Sequence, residues 1–152
     1  MSSLIKFFLL ISTCLAMFLS SAHAQSTTSI ATYYYRVGSL PDRRCAPVQS
    51  IFDPPAKGGF RGVYGACGGI YGTSITSKYG VAISQGKANC GRRMRITYGS
   101  KSIIATVIDQ CPGCNGNQKI DMSLDAMTEL MGPMQACSIN TGLPRVRWQF
   151  IK

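Results

Sequence analysis

Histidine is nearly missing from this sequence: of 152 residues only His23 carries an imidazole. Acidic residues are scarce as well, and Asp42, Asp53, Asp109, Asp121, Asp125 and Glu129 are the whole set. No Asn-x-Ser/Thr glycosylation sequon occurs, and no internal repeat or low-complexity tract is visible. The longest apolar run, Phe7 to Leu19, is shorter than the roughly 20 residues that a membrane-spanning helix needs.

That run follows Lys6 and is followed by Ser20-Ser21 and Ala22-His23-Ala24. A basic residue, an apolar stretch and small residues in this order predict a cleaved secretory signal peptide over 1–24, with a single soluble domain over 25–152. His23 would leave with the signal. A mature chain without imidazole excludes Ser-His and Cys-His nucleophilic pairs, His-ligated zinc and histidine acid/base catalysis. No metal and no cofactor is expected.

What is abundant is positive charge, with 16 Lys+Arg and a formal net charge of +10. Such a chain favours an acidic partner: nucleic acid, an anionic membrane or an acidic polysaccharide. Secretion and the lack of any recognition motif argue against nucleic acid. The hydrophobic fraction of 45% excludes a disordered chain.

Cys14 lies in the signal. Cys45, Cys67, Cys90, Cys111, Cys114 and Cys137 remain as disulfide candidates, an even set whose pairing the sequence leaves open. Cys111-Pro-Gly-Cys114 also has the spacing of a redox or metal motif. With no second CxxC and no βαβ context, structural disulfides are the better reading.

Strands are predicted at Ala31–Tyr35, Val81–Ser84, Arg92–Tyr98, Ser102–Ile108 and Arg145–Ile151, from β-branched and aromatic content or strict alternation. Ser26–Ile30 reads as a polar lead-in, and Gly99-Ser-Lys101 as a hairpin turn. Residues 36–63, rich in Pro and Gly, read as a long surface loop. Gly65–Gly69 around Cys67 predicts tight backbone approach or positive φ near a disulfide. Ser123 is the expected N-cap of one short helix that ends before Gly132-Pro133 and buries Ala126, Met127 and Leu130. Short strands, one helix and no βαβ repeat predict a small, mainly β barrel.

Asp109 ends an apolar strand and Asp121 sits between Ile120 and Met122, beside one Gly/Cys-rich loop. Two carboxylates facing a common cleft can divide acid and base work. The same local features suit structural roles, with Asp121 accepting backbone hydrogen bonds and Asp109 steadying the 110–118 loop. Asp125 and Glu129 read as solvated helix residues, Asp42 and Asp53 as turn-formers. Tyr33, Tyr34, Tyr35, Tyr64, Tyr71, Tyr79 and Trp148 are candidate sugar-stacking faces. Most aromatics in a domain of this size are core, and two or three are expected to line a groove, with Tyr33, Tyr34 and Trp148 as the substrate-binding candidates. The Arg92-Arg93-Met94-Arg95 cluster suits either contact with phosphates or uronates or a solvated strand face that suppresses edge pairing, with the second reading slightly preferred.

Five ordered motifs, Ala31-Thr-Tyr-Tyr34, Gly65-Ala-Cys-Gly68, Val107-Ile-Asp-Gln-Cys-Pro-Gly-Cys114, Ile120-Asp-Met-Ser-Leu-Asp-Ala-Met127 and Val146-Arg-Trp148, resemble those of the expansin-like, RlpA-like double-psi β-barrel proteins. The resemblance implies a six-stranded double-psi β-barrel with long disulfide-pinned loops and a polysaccharide groove, as in single-domain loosenin-type and barwin-related proteins. It makes Asp121 the match of the acid that expansins share with related endoglucanases, Asp109 the other groove acid, and Thr32 with Tyr33 the groove-lining Thr-x-Tyr segment. Cys111 stands where some bacterial expansins carry a groove tyrosine. No histidine matches that of the RlpA-type lytic transglycosylases, and the carbohydrate-binding domain of full-length expansins is not in the 152 residues.

The expected function is therefore that of a secreted, extracellular, monomeric protein that binds cell-wall polysaccharide in an open groove and loosens it without hydrolysis. An acidic polysaccharide would use the basic charge, and neither nucleic acid nor membrane is expected as a partner. The alternatives are a defence or effector module that binds a protein, such as a protease inhibitor presenting the 36–63 loop, and a weak lytic glycosidase using Asp121.

Overall fold

Where the sequence alternates, the chain builds a wall with one dry and one wet face. In Arg93–Tyr98, Met94 and Ile96 are fully buried while Arg93 and Arg95 point to solvent, as a period of two requires of a strand packed on one side only. Arg145–Phe150 repeats this with Val146 and Trp148 inward. The computed structural model describes residues 26–38, 50, 52–54, 56, 59–137 and 144–152. The expected signal peptide, Asp42, Cys45 and most of the expected 36–63 loop lie outside them.

Six strands are present: β1 (Thr27–Tyr35), β2 (Gly80–Ile83), β3 (Arg93–Tyr98), β4 (Lys101–Gln110), β5 (Lys119–Ser123) and β6 (Arg145–Phe150). They close into a barrel in the order β1-β5-β2-β4-β3-β6. β1 with β5 and β2 with β4 are parallel, and the other four pairings are antiparallel. The architecture is a six-stranded double-psi β-barrel. Closure removes every sheet edge, and the inward side chains fill one continuous core of Val81, Met94, Ile96, Val107, Ile120, Met122 and their neighbours.

Helix α1 (Leu124–Met131) starts where the sequence predicts. Ser123 has extended backbone and its hydroxyl accepts from the Ala126 N–H at 3.1 Å, while donating to the Lys78 carbonyl at 2.6 Å. Ala126, Met127 and Leu130 are buried against the barrel. Gly132 ends the helix and the short α2 (Pro133–Cys137) follows.

Two segments differ from the sequence reading. β1 begins at Thr27, not Ala31. The polar lead-in is strand because Ser29, fully buried, donates to the Asn117 carbonyl and accepts from Trp148 Nε1 at 2.8 Å, so its hydroxyl is satisfied inside. β5, too short to show periodicity, is the sixth strand.

Two parallel ladders each carry a register shift. Tyr33 pairs with Met122 and Tyr35 with Ser123, leaving Tyr34 as the extra residue of β1. Val81 pairs with Val107 and Ala82 with Asp109, leaving Ile108 extra in β4. Bulges of this kind re-aim side chains next to sites, and both lie beside the same groove.

Disulfides join Cys67 to Cys90 and Cys111 to Cys114, and Cys137 is also disulfide-bonded. Among the described residues no helix is long and apolar enough to cross a membrane.

Candidate functional site

The end of β4 and the middle of β5 carry the two candidate acids to the same place. Ala82 in β2 is the register partner of Asp109 on one side and of Asp121 on the other. With strands about 4.8 Å apart, the two backbones are about 10 Å apart across Ala82. A cavity of about 310 Å³ opens there, lined by both aspartates together with Tyr34, Phe60, Lys119 and the Cys111–Cys114 loop.

Asp109 is fully engaged. Its Oδ1 accepts from the Ala66 N–H at 2.6 Å and the Gln110 N–H at 2.8 Å, and its Oδ2 accepts from the Tyr71 hydroxyl at 2.7 Å. Tyr71 in turn accepts from Tyr34 at 2.9 Å. The chain Tyr34 to Tyr71 to Asp109 thus ends on a carboxylate that holds the Gly65–Gly69 turn against the end of β4. That turn needs Gly68, whose φ is 80°, beside the disulfide of Cys67, as its glycines predict.

The tyrosines stay protonated donors. Burial, foremost, pushes the Tyr34 and Tyr71 phenols far above the usual value and the Asp109 charge adds to it; the hydrogen bond between them raises Tyr34 further but lowers Tyr71 in part. Tyr35, fully buried and donating to the Ser77 carbonyl at 2.9 Å, is likewise raised by burial. Partial burial also raises Tyr33.

Asp121 is held differently. Its Oδ1 accepts from the Thr32 hydroxyl, and its Oδ2 lies 3.1 Å from Cys111 Sγ. That sulfur is half of a disulfide and has no hydrogen to donate. Oδ2 therefore keeps its acceptor capacity for a group entering the cavity. Cys111, Cys114 and Asp121 are close enough to share a metal ion, but the disulfide leaves no thiolate, and a thiolate is the ligand form of cysteine.

The structure thus brings together Thr32, Tyr34, Asp109, Asp121, Cys111 and Cys114. Tyr33 packs against the main core instead. Trp148 is not in the groove either: it is 5% exposed, donates to Ser29 and packs against Phe150. Its alternation with Val146 already pointed inward, and the inside of a filled barrel is core. The sequence reading missed Phe60 and Lys119 and carried Tyr71 only as one of several candidate stacking aromatics, not as a partner of Asp109; these places depend on long-range folding. Asp125 is more than a solvated helix residue, since it accepts from the Val37 and Gly38 N–H groups at 2.7 and 3.1 Å. Asp53 lies 3.9 Å from Arg36.

No family model and no curated protein sequence matches the chain. Among solved structures, the Streptomyces papain inhibitor is similar at 22% identity and a TM-score of 0.53, over 84% of this chain and 96% of that one. An expansin of Clavibacter michiganensis is similar at 20% identity and a TM-score of 0.53, over 84% of this chain. A mutant of that expansin in complex with cellohexaose gives 19% and 0.52. The chain spans about half the length of the expansin, 51%. At these identities the likeness is one of fold, and the chain is a double-psi β-barrel built like the papain inhibitor and like a half-length portion of the expansin.

Proposed function

We propose that the protein is secreted and binds cell-wall polysaccharide in the groove between Asp109 and Asp121, loosening the wall without cleaving it. The observation that carries the reading is the unequal state of the two acids. Asp121 keeps a carboxylate oxygen with no donor among the described residues, suited to a sugar hydroxyl, while Tyr34 and Phe60 offer ring surface beside it. Hydrolysis with inversion would need Asp109 as a base activating water, and its oxygens already accept three hydrogen bonds. An expansin of the same fold has been solved with cellohexaose, which supports a β-glucan-like ligand. Lys119 at the groove and the net charge of +10 suit a partly acidic wall.

The test is a pull-down of residues 25–152 on insoluble cellulose, chitin and pectin-rich wall at low and high salt, with Asp121→Asn beside it. Retention that falls with Asp121→Asn supports the groove. Reducing sugar released by the parent and lost in Asp121→Asn would replace the non-hydrolytic reading with a glycosidase.

A second reading has its own support. The papain inhibitor matches over 96% of its length, and Phe52, Val63 and Tyr64 are exposed large apolar side chains in one stretch of sequence, a composition suited to a protein contact. Inhibition of papain that survives Asp121→Asn but is lost in Tyr64→Ala would favour it.

A further inference from the structure

The Cys-Pro-Gly-Cys motif reads from sequence as a structural disulfide, yet its setting is unlike that of Cys67–Cys90. The latter ties residues 23 apart. Cys111–Cys114 ties residues three apart, within one short turn, so it restricts the unfolded chain less than Cys67–Cys90 does. Cys111 and Cys114 are only 7% and 0% exposed, but both line the cavity; Pro112 and Gly113 between them are exposed, and nothing lies within 4 Å of the place where a Gly113 Cβ would be.

The Asp121 carboxylate is the decisive neighbour. In the disulfide, Oδ2 faces a sulfur at 3.1 Å that offers no proton. In the dithiol the same sulfur gains an S–H aimed at a carboxylate, and hydrogen bonds to charged acceptors are the stronger kind. The geometry therefore favours the reduced partner at the spot where the oxidised one has only a close contact.

We propose that Cys111–Cys114 is an exchangeable, redox-active disulfide that reacts with dithiols entering the groove. A thiolate of the dithiol attacks Cys111 Sγ, forming a mixed disulfide, and the Cys111–Cys114 bond breaks with its electron pair going to Cys114, which takes up a proton. The second thiol of the reagent gives up its proton and attacks its own sulfur in the mixed disulfide. Cys111 leaves with the electron pair, is protonated, and donates to Asp121 Oδ2. Protein disulfide and dithiol become protein dithiol and reagent disulfide, with two electrons passed. Lys119, also lining the groove, attracts the incoming thiolate, whereas Asp121 repels it.

This chemistry stands whether or not the groove takes a polysaccharide, and its readout is covalent. The native protein is incubated with dithiothreitol, or with a reduced thioredoxin-type protein, then quenched with an alkylating agent and mapped by mass spectrometry. Cys111 and Cys114 are expected to be alkylated in the native protein without denaturant, with the exposed Cys90 and its partner Cys67 serving as the reference for an ordinary accessible disulfide. Reaction with the small dithiol alone, or with both, supports the proposal and identifies the reductant's size. Asp121→Asn should accelerate the attack about fivefold by removing a like charge beside the sulfur, while shifting the equilibrium towards the disulfide. Lys119→Gln, which leaves Asp121 in place, should slow it about twofold to fivefold. The proposal fails if Cys111–Cys114 opens only in denaturant, or if neither Asp121→Asn nor Lys119→Gln changes its rate.

Discussion

Asp109 and Asp121 stand opposite the same residue, Ala82, one on each side of β2. They share a cavity but not a role, because Asp109 accepts three hydrogen bonds and Asp121 only one from a protein hydroxyl. Exchange of the two should therefore separate stability from binding. Asp109→Ala strands the Ala66 and Tyr71 donors and should cost about 2 kcal/mol, lowering Tm by on the order of 8 °C. Asp121→Asn should cost less than about 1 kcal/mol yet remove most polysaccharide retention. Thermal melts and the wall pull-down, run on the same preparations, check both.

The buried phenols make a second expectation, in alkaline solution. Tyr34, Tyr35 and Tyr71 are raised above the usual value of 10.0, chiefly by burial. A folded-state value above the unfolded one means that the unfolded chain loses its protons first. The stabilisation is complete below pH 10 and declines as pH rises, by up to about 1.4 kcal/mol per pH unit for each phenol. Absorbance at the phenolate band should show these three of the seven tyrosines ionising only as the protein unfolds. Ordinary titration of all seven with the fold intact would contradict the buried network.

The sequence made some of this legible and hid the rest for physical reasons. Alternation in β3 and β6, and the Ser123 cap with Leu130 four residues beyond Ala126, are local signals that the fold obeys. The start of β1 was hidden because Ser29 is polar yet buried, its hydroxyl satisfied by Asn117 and Trp148, residues far away in sequence. The groove pairing of Asp109 with Asp121 was anticipated as a shared cleft. What sets it is the extra residue at Ile108, and a bulge leaves no local mark when the residues around it, Thr106, Val107 and Ile108, are all β-branched. Trp148 was misjudged for the opposite reason, since its aromatic chemistry suited a groove while its alternation already placed it inside.

Gly86 should tolerate no side chain. A Cβ there would run into the Asp109 carbonyl and the Gln110 Cα, both backbone atoms that cannot move aside without disturbing the groove wall. Gly86→Ala should cost at least about 3 kcal/mol, as overpacking against fixed backbone does. Gly113→Ala, where a Cβ meets nothing within 4 Å, should stay within about 0.5 kcal/mol. Denaturant unfolding of the two variants side by side tests the difference, and equal effects would mean that the 84–90 turn yields.

Cys67–Cys90 and Cys111–Cys114 should differ in what they contribute to stability. A cross-link restricts the unfolded chain in proportion to the logarithm of the loop it closes. For Cys67–Cys90, with 23 residues of separation, the loss on replacement by serine pairs should be about 3.5 kcal/mol. For Cys111–Cys114, separated by three, it should be about 2 kcal/mol. The larger loss also has a local consequence, because Cys67 sits in the turn that Asp109 holds through Ala66. Removing Cys67–Cys90 should therefore weaken that hydrogen bond, so that a further Asp109→Ala costs less than it does alone, whereas in the Cys111/Cys114 serine variant it should cost the same. Denaturant midpoints of the single and combined variants measure this coupling. Full additivity with Cys67–Cys90 would mean that Asp109 holds the turn independently of the disulfide.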